Sequence, residues 1–439
     1  MLAVHLYKSD LPPGYRRSYP INLLFAEACE PVLQVRIRLL ADKSNLKLIS
    51  LEEHPLQEKL CAYLVQSREQ NKLKENREKF LLLDSFINQF YSKRTKIKLT
   101  NQPLPYPYNY ETTIEPCTSE IDYSNGPKFT DPVESNVRFN EFITELQEKE
   151  FIIFYTDGSK IKDSYNNGLA IYSPELEIEE QFKINKTASI FTTEALAITV
   201  TMNIITKLNI SKAAICTDSL SVLMAALQYS PAKTKNTNYL ILEIKNKMKE
   251  AKERNIIIKL IWIPSHKGIV GNEKADLLAK SACTKGRSLQ IRLPFSDFME
   301  EIKLTNFKRS EKILKERGKM KGKNYFTKYY KSTKKPWFYQ STYPRYHIVT
   351  INRLRANHYN LSESLCRKRI VPSPRCECGC PKEDIEHVIV NCPRFNHERQ
   401  TLIKRFKNKN KESEIKINIE EILKQPNGTK AKFITDFLM

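Results

Sequence analysis

The 439-residue sequence lacks any long uninterrupted run of apolar residues. No stretch approaches the roughly 18 consecutive apolar residues that a membrane-spanning helix requires, so we expect no membrane partner. The apolar segment at residues 1–6 is followed by Lys8 and Asp10 and is too short for the hydrophobic core of a signal peptide. The sequence therefore predicts an intracellular protein, either nuclear or cytoplasmic.

Cysteine spacings of the kind that build a disulfide framework are also lacking. Ten cysteines occur, most of them scattered singly, and the only four that cluster are Cys376, Cys378, Cys380 and Cys392. Disulfide frameworks are typical of secreted chains with paired cysteine spacings. We therefore expect reduced thiols.

Negative charge is scarce relative to positive charge. The chain has 72 Lys and Arg residues against 50 Asp and Glu residues, which gives a formal charge of +22. Such an excess favours a polyanionic partner, most commonly nucleic acid, although a generally lysine-rich proteome would produce the same excess. Hydrophobic residues make up 41% of the chain, which is enough for packed cores and argues against global disorder.

Residue patterns divide the chain into five regions. Residues 1–95 place apolar residues at helical spacing, whereas residues 96–147 are rich in Pro, Tyr and Ser and predict a linker with little regular structure. Residues 148–285 alternate strand and helix patterns. Residues 286–345 predict a basic, aromatic, helical linker, and residues 346–439 a helical region that contains the cysteine cluster.

The central region, residues 148–285, predicts an α/β domain with one sheet. Residues 151–156 form a near-continuous apolar run, which is typical of a strand buried on both faces. The predicted order is βββαβαβα if two neighbouring helices after the fourth strand are grouped, and Asn272 is expected to cap the last helix. The further strands are predicted at 168–172, 176–184, 213–217 and 256–263, and the helices at 190–208, 220–227, 238–254 and up to residue 283.

Four carboxylates occupy positions at which the cost of burying a negative charge must be offset by a partner. Asp157 and Asp218 each follow directly on a buried strand, Glu194 lies early on a helix that must pack on the sheet, and Asp276 lies on the last helix. Converging carboxylates cannot all ionise at close range without a counter-charge. Oxygen-only ligation suits Mg²⁺ or Mn²⁺. Taken singly, each residue is better explained as one of the chain's many solvated surface acids.

Taken together, these residues and their neighbours resemble the ribonuclease H family, in order and with similar intervals. The matching motifs are Tyr-Thr-Asp-Gly-Ser at 155–159, Glu-Ala-Leu-Ala at 194–197, Thr-Asp-Ser at 217–219, Trp-Ile-Pro-Ser-His at 262–266 and Gly-Asn-Glu-Lys-Ala-Asp at 271–276. The motifs are specific only as a set, and the region of resemblance that contains them covers about a third of the chain. The resemblance implies a ribonuclease H-like α/β fold, with a mixed five-stranded central sheet flanked by helices and with mainly helical terminal regions.

The resemblance also implies an activity, which is cleavage of the RNA strand of an RNA–DNA hybrid to leave a 3′-hydroxyl and a 5′-phosphate. Asp157 would bridge two Mg²⁺ ions, for which Mn²⁺ is the expected substitute, and Glu194, Asp218 and Asp276 would complete their ligand shells. His266, in the loop before the last helix, would assist proton transfer and product release. A surface loop histidine without function is the alternative.

Hybrid specificity requires contacts to the 2′-hydroxyl groups of one strand. By position in the family, the candidates are Gly158, Ser159 and Thr192. The basic stretch at residues 245–252 has two equal interpretations, a contact to the DNA strand or a solvated helix face.

The cysteine cluster, together with a nearby histidine, predicts a Zn²⁺ site. Three thiolates and one imidazole, from Cys376, Cys378, Cys392 and His387, make a tetrahedral ligand set. The one-residue gap between Cys376 and Cys378 is tighter than usual, and Cys380 is an alternative ligand in place of either. Reduced cysteines without a metal are the other alternative.

A second resemblance covers the carboxy-terminal region. Leu-Arg-Ala-Asn-His at 354–358, followed by this Cys/His pattern, resembles the knuckle of insect-type non-LTR retrotransposon polyproteins. In those polyproteins a ribonuclease H domain follows a reverse transcriptase and precedes the knuckle, and residues 1–95 resemble the segment downstream of the polymerase. No Tyr-x-Asp-Asp polymerase motif occurs. The resemblance implies a fragment or descendant of such a polyprotein, without polymerase activity.

The sequence leaves two questions open, one about residues 303–339 and one about the function of the whole chain. Residues 303–339 combine thirteen Lys and Arg residues with eight aromatic residues, so this segment either binds nucleic acid or packs its aromatic rings on a neighbouring domain. The whole chain is either an active nuclease or a catalytically idle, nucleic-acid-binding remnant. Integrases and junction resolvases share the architecture and are a third possibility.

Overall fold

The computed structural model describes residues 19–52, 54–69, 81–99, 121–122, 132–227, 238–407 and 417–438. The chain forms two compact units. One, which we call the sheet unit, runs from Leu40 to Lys303, and the other, the helical unit, combines the residues up to Leu39 with those from Leu304 onward. The region expected at residues 1–95 is therefore divided between the two units.

The sheet unit is an α/β domain built on a mixed sheet of seven strands in the order β1-β6-β5-β2-β3-β4-β7. The expected α/β architecture is confirmed, and the five long strands are the five that the sequence predicts. The two additional strands, β1 and β7, are two residues each at the sheet edges, too short to give a periodic pattern. The strands are β1 Ile121–Asp122, β2 Ile152–Ser159, β3 Asn166–Ser173, β4 Ile178–Asn185, β5 Lys212–Thr217, β6 Ile257–Trp262 and β7 Arg287–Ser288.

Helices flank the sheet and make up the described parts of the terminal regions. They are α1 Ile21–Glu27, α2 Leu33–Ser50, α3 Pro55–Glu69, α4 Leu81–Lys93, α5 Pro132–Glu148, α6 Ile190–Lys207, α7 Leu220–Leu227, α8 Tyr239–Glu253, α9 Val270–Lys285, α10 Met299–Met320, α11 Lys323–Lys328, α12 Arg345–Arg355, α13 Ser362–Cys366, α14 Asn396–Lys407, α15 Ile419–Lys424 and α16 Thr429–Phe437. Within the described ranges, none of the helices has the length and apolarity to cross a membrane.

Two local expectations differ from the structure. Helix α5 begins inside the segment expected to be an irregular linker, because Phe139, Ile143 and Leu146 recur at helical spacing and are buried in a core with strand β2. The remaining expected linker positions, 100–120 and 123–131, lie outside the described residues. Asn272 does not cap the last helix, because α9 already begins at Val270, with Glu273 N–H bonded to the Ile269 carbonyl.

The sheet directions place the ends of β2 and β5 side by side. Strand β2 pairs in parallel with β5, with Thr156 opposite Thr217, and antiparallel with β3. Helix α9 lies so close to β3 that a Cβ atom on Gly168 would lie 2.1 Å from the Ala279 carbonyl oxygen. Only glycine allows this approach. The close packing holds α9, and with it Asp276, against the sheet.

The helical unit has its own core, organised around a buried ion pair. Arg355 Nε lies 3.0 Å from Glu27 Oε1, with 7% and 2% of the two side chains exposed. The Trp337 indole N–H donates to the same Glu27 oxygen, and Arg355 also donates to the carbonyl oxygens of Leu423 and Tyr329. These bonds make α1 an integral part of the unit that the carboxy-terminal helices form.

Candidate active site

Two of the predicted carboxylates come together because β2 and β5 run in parallel. Asp157 and Asp218 follow the paired residues Thr156 and Thr217, so both lie at the same end of the sheet. Asp157 is buried. The Ser265 hydroxyl donates to Asp218 Oδ2 at 2.7 Å, which fixes the orientation of that carboxylate.

Helix α6 brings Glu194 to the same place. Its amino terminus is capped by Ser189, whose side-chain oxygen accepts a hydrogen bond from Thr192 N–H at 3.1 Å. Gly158 permits close packing there, since a Cβ atom on it would lie 3.0 Å from Glu194 N and 3.1 Å from Glu194 Cδ. The carboxylates of Asp157, Glu194 and Asp218 each offer an oxygen, and these three oxygens lie within 4.8 Å of one another. We call this set the carboxylate cluster.

Burial and mutual repulsion disfavour ionisation of Asp157 and Glu194. Burial, and then the charges of Asp218 and Asp276, raise the pKa of Asp157 to about 8. Burial, and then Asp157 and Asp218, raise the pKa of Glu194 well above its ordinary value. Within the described residues, Glu194 Oε2 is also buried without a hydrogen-bond partner. A buried set of oxygen ligands with unrelieved negative charge fits a divalent cation such as Mg²⁺ or Mn²⁺.

The fourth predicted carboxylate, Asp276, belongs to a neighbouring group. Asp276, His266 and Glu273 each offer a ligand atom within 4.8 Å of the others, and we call them the loop cluster. Lys280, one turn further along α9, forms an ion pair with Asp276 at 2.5 Å. His266 is exposed and has a left-handed backbone, with φ of 55°. Sequence reasoning missed Glu273, although its position one turn before Asp276 on the same helix is a signal for it.

The residues proposed to read the 2′-hydroxyl lie around the first turn of α6. Ser159 is buried, and Thr192 is completely buried. The Thr192 hydroxyl donates to Asp297 Oδ1 at 3.1 Å and accepts from Asn238 Nδ2 at 2.8 Å. Thr192 is therefore part of an internal hydrogen-bond network. Its partner Asp297 had no signal in the sequence, because it lies outside every recognised motif.

The lysines of the basic stretch at residues 245–252 differ in their exposure to solvent. Lys245 is buried, whereas Lys249 and Lys252 are exposed. Lys249 has an ion pair with Glu253 on the same helix at 3.8 Å.

Three cysteines and one histidine of the carboxy-terminal region, the Cys/His cluster, come together in the structure. Cys376, Cys378, His387 and Cys392 offer ligand atoms that lie within 4.8 Å of one another. Cys378 Sγ lies 3.2 Å from His387 Nε2, and Cys376 Sγ lies 3.8 Å from Cys392 Sγ. Gly379 has φ of 92°, which allows the turn after Cys378. Cys380 is not a member of this set, and its Sγ faces the Lys382 carbonyl instead.

Residues 149–284 match the RNase H family model. The central part of the sheet unit is therefore an RNase H domain, as the resemblance in the sequence predicts, and this implies binding of RNA–DNA hybrids. No curated protein matches the chain.

Proposed function

We propose that this protein is a metal-dependent ribonuclease that cleaves the RNA strand of RNA–DNA hybrids. The supporting observation is the carboxylate cluster of Asp157, Glu194 and Asp218, which lies at the sheet end of an RNase H domain. Asp157 and Glu194 are buried, and among the described residues none of the three carboxylates has an ion-pair partner. Their oxygens are therefore suited to cation ligation.

In this proposal Asp157, Glu194, Asp218 and Asp276 would hold the divalent metal. When bound, the metal would supply an activated water and neutralise charge at the scissile phosphate. The protein's own contribution is to orient the ligands. The Ser265 hydroxyl orients Asp218, and the Gly158 N–H helps to hold the carboxylates of Asp157 and Glu194 ionised. His266, exposed on its loop, would assist proton transfer and product release.

The test is cleavage of a labelled RNA–DNA hybrid by the purified protein, with and without Mg²⁺. Asp157→Asn is the inactivating variant. The matched control is Asp163→Asn, which removes the same charge from an exposed position of the same domain. The expected result is Mg²⁺-dependent cleavage of RNA by wild type and control only. Binding of the hybrid without cleavage would support the idle remnant, and cleavage of duplex DNA would support integrase-like chemistry.

We also propose that the Cys/His cluster binds one Zn²⁺ ion, because three thiols and one imidazole within 4.8 Å make a complete tetrahedral set. Zinc is measured by elemental analysis of protein prepared without chelator. Cys378→Ser is expected to lose most of the zinc, whereas Cys380→Ser, two residues away and outside the set, is expected to keep about one ion per chain. Wild-type protein without zinc would contradict the proposal.

Finally, we propose that the chain descends from a non-LTR retrotransposon polyprotein and acts inside the cell, in the nucleus or cytoplasm. An RNase H domain followed by a Cys/His cluster supports this order of domains. Genomic sequence upstream of the coding region tests the descent, since an adjoining frame that encodes a Tyr-x-Asp-Asp motif is expected. Intact flanking sequence with no trace of a polymerase would contradict it.

A further inference from the structure

One segment of the helical unit concentrates positive charge more than its surroundings. Residues 319–335 contain seven lysines and no acidic residue. The same segment contains four aromatic residues, so its sequence alone allows either phosphate binding or stacking on bases. The structure separates these two classes of side chain.

The aromatic rings are directed into the core of the helical unit. Tyr325 and Tyr329 are buried, and the Arg355 guanidinium lies 5.6 Å and 5.4 Å from their ring centroids. Phe326 and Tyr330 pack against the same core. A Cβ atom on Gly318 would lie 2.4 Å from the Phe326 ring, which shows how closely that ring is held. The four rings are thus used for packing and do not form a stacking platform.

The lysines, in contrast, are all exposed. We call them the lysine surface, and they are Lys319, Lys321, Lys323, Lys328, Lys331, Lys334 and Lys335. Lys328 has an ion pair with Glu420 at 2.7 Å, and Lys335 lies 4.0 Å from the ring centroid of Tyr339. Among the described residues, no acidic partner is found for the other five. Most of the charge is therefore available to a partner.

The backbone that carries the lysine surface is held by buried groups. Arg355 Nη2 donates to the Tyr329 carbonyl at 3.2 Å, and Asn22 Nδ2 donates to the Lys321 carbonyl at 2.8 Å. A fixed backbone lowers the entropy that is lost when the surface engages a partner. The lysines are therefore carried by a folded backbone that is anchored at Lys321 and Tyr329.

We propose that the lysine surface binds the phosphate backbone of a nucleic-acid duplex, independently of base sequence and of the nuclease reaction. A duplex carries one negative charge per about 1.7 Å of its axis, which complements a segment with seven exposed lysines and no acidic residue at 319–335. An unpaired strand also carries phosphates. A protein surface that prefers an unpaired strand, however, requires exposed aromatic rings on which the bases can stack. The rings of this segment are packed inward, so the duplex is the partner that the surface fits.

The test measures affinity for a duplex DNA of mixed sequence over a range of salt concentrations, in buffer without divalent metal or chelator. Duplex DNA is not the proposed substrate of the nuclease. A failure of the binding proposal can therefore be distinguished from a failure of the nuclease proposal. The variant Lys319→Gln/Lys323→Gln/Lys331→Gln removes three charges from the surface. The control Arg345→Gln/Lys404→Gln/Lys407→Gln removes three exposed charges from other helices of the same unit.

The slope of log affinity against log salt is expected to become shallower by about 2 to 3 in the surface variant, since each phosphate that a lysine neutralises contributes roughly 0.9 to the slope. The control is expected to change the slope by less than about 1. Equal slopes for both variants would overturn the proposal. Tighter binding of the wild type to a single strand of equal length than to the duplex would also overturn it. So would a surface variant that loses affinity for anionic lipid vesicles but keeps its affinity for the duplex. Circular dichroism and melting curves confirm that each variant is folded.

Discussion

Asp297 holds Ser189, the amino-terminal cap of the helix that carries Glu194, by accepting two hydrogen bonds from it. The Ser189 N–H donates to Asp297 Oδ2 at 3.1 Å, and the Ser189 hydroxyl donates to Oδ1 at 3.0 Å. A carboxylate at this position also interacts favourably with the positive end of the helix dipole. Asp297 lies beyond the segment that matches the RNase H family, so the residues after that segment help to position the candidate site.

Replacement of Asp297 by alanine is expected to impair metal binding more than folding. Loss of the hydrogen bonds from Ser189 to Asp297 loosens the first turn of α6, which directly precedes Glu194. Hydrogen bonds that indirectly orient a metal ligand change metal affinity by about tenfold or more. We expect the Mg²⁺ concentration for half-maximal hybrid cleavage to rise by about that factor.

Asp297→Asn retains one acceptor oxygen and is expected to show a smaller rise. Asp163→Ala, at an exposed position of the same domain, is the control. An unchanged Mg²⁺ requirement in Asp297→Ala, with lower thermal stability alone, would show that Asp297 is only structural.

Removal of the Asp157 charge is expected to stabilise the metal-free protein. The pKa of Asp157 is raised from its ordinary value of 3.8 to about 8. Between these values the folded state binds more protons than the unfolded state, so stability falls as pH rises through this window. Asp157→Asn removes this penalty, and its melting temperature at pH 8 is expected to exceed that of wild type by roughly 5 °C.

The difference between Asp157→Asn and wild type is expected to shrink toward pH 5, where the folded wild type is protonated at this site. Mg²⁺ is expected to raise the melting temperature of wild type and much less that of the variant. Melting curves in chelator-free buffer from pH 5 to 8 measure both effects. A variant less stable than wild type at pH 8 would show that the Asp157 charge is compensated in the folded protein.

The sequence predicts those parts of the site that depend on strand periodicity. Apolar runs locate β2 and β5, and the acids after them, Asp157 and Asp218, meet because the strands are parallel neighbours. Tertiary contacts between distant segments leave no such pattern. Asp297 reaches Ser189 across 108 residues, and the buried rings of Tyr325 and Tyr329 lie beside Arg355 of a later helix.

Two glycine substitutions are expected to distinguish a loss of activity from a loss of stability. In Gly158→Ala the added Cβ lies 3.0 Å from Glu194 N and 3.2 Å from Thr193 Cγ2, so these groups must shift by a few tenths of an ångström. Because catalytic geometry is sensitive to such shifts, we expect hybrid cleavage to fall by about tenfold or more. The melting temperature is expected to change by only about 4 °C or less.

Gly168→Ala is the contrasting variant, since its Cβ would lie 2.1 Å from the Ala279 carbonyl oxygen and 2.6 Å from Cys283 N. Both groups belong to the backbone of α9 and cannot move away singly. We expect this variant to lose stability and activity together. Full activity of Gly158→Ala would indicate that the Glu194 carboxylate does not need its observed position.

The ion pair between Glu27 and Arg355 provides a test of the helical unit's assembly. Glu27→Ala leaves the Arg355 guanidinium buried without its carboxylate, which costs roughly 3–5 kcal/mol for a pair of this kind. The double variant Glu27→Ala/Arg355→Met removes both charges and is expected to recover part of that loss.

Glu30 and Arg36 form an exposed pair in the same amino-terminal segment, at 3.2 Å with 42% and 45% of their side chains accessible. Glu30→Ala is therefore expected to cost less than about 1 kcal/mol. Denaturant unfolding of the full chain, with hydrogen exchange to locate the affected helices, measures these differences. If Glu27→Ala cost no more than Glu30→Ala, the buried pair of Glu27 and Arg355 would not contribute to the stability of the helical unit.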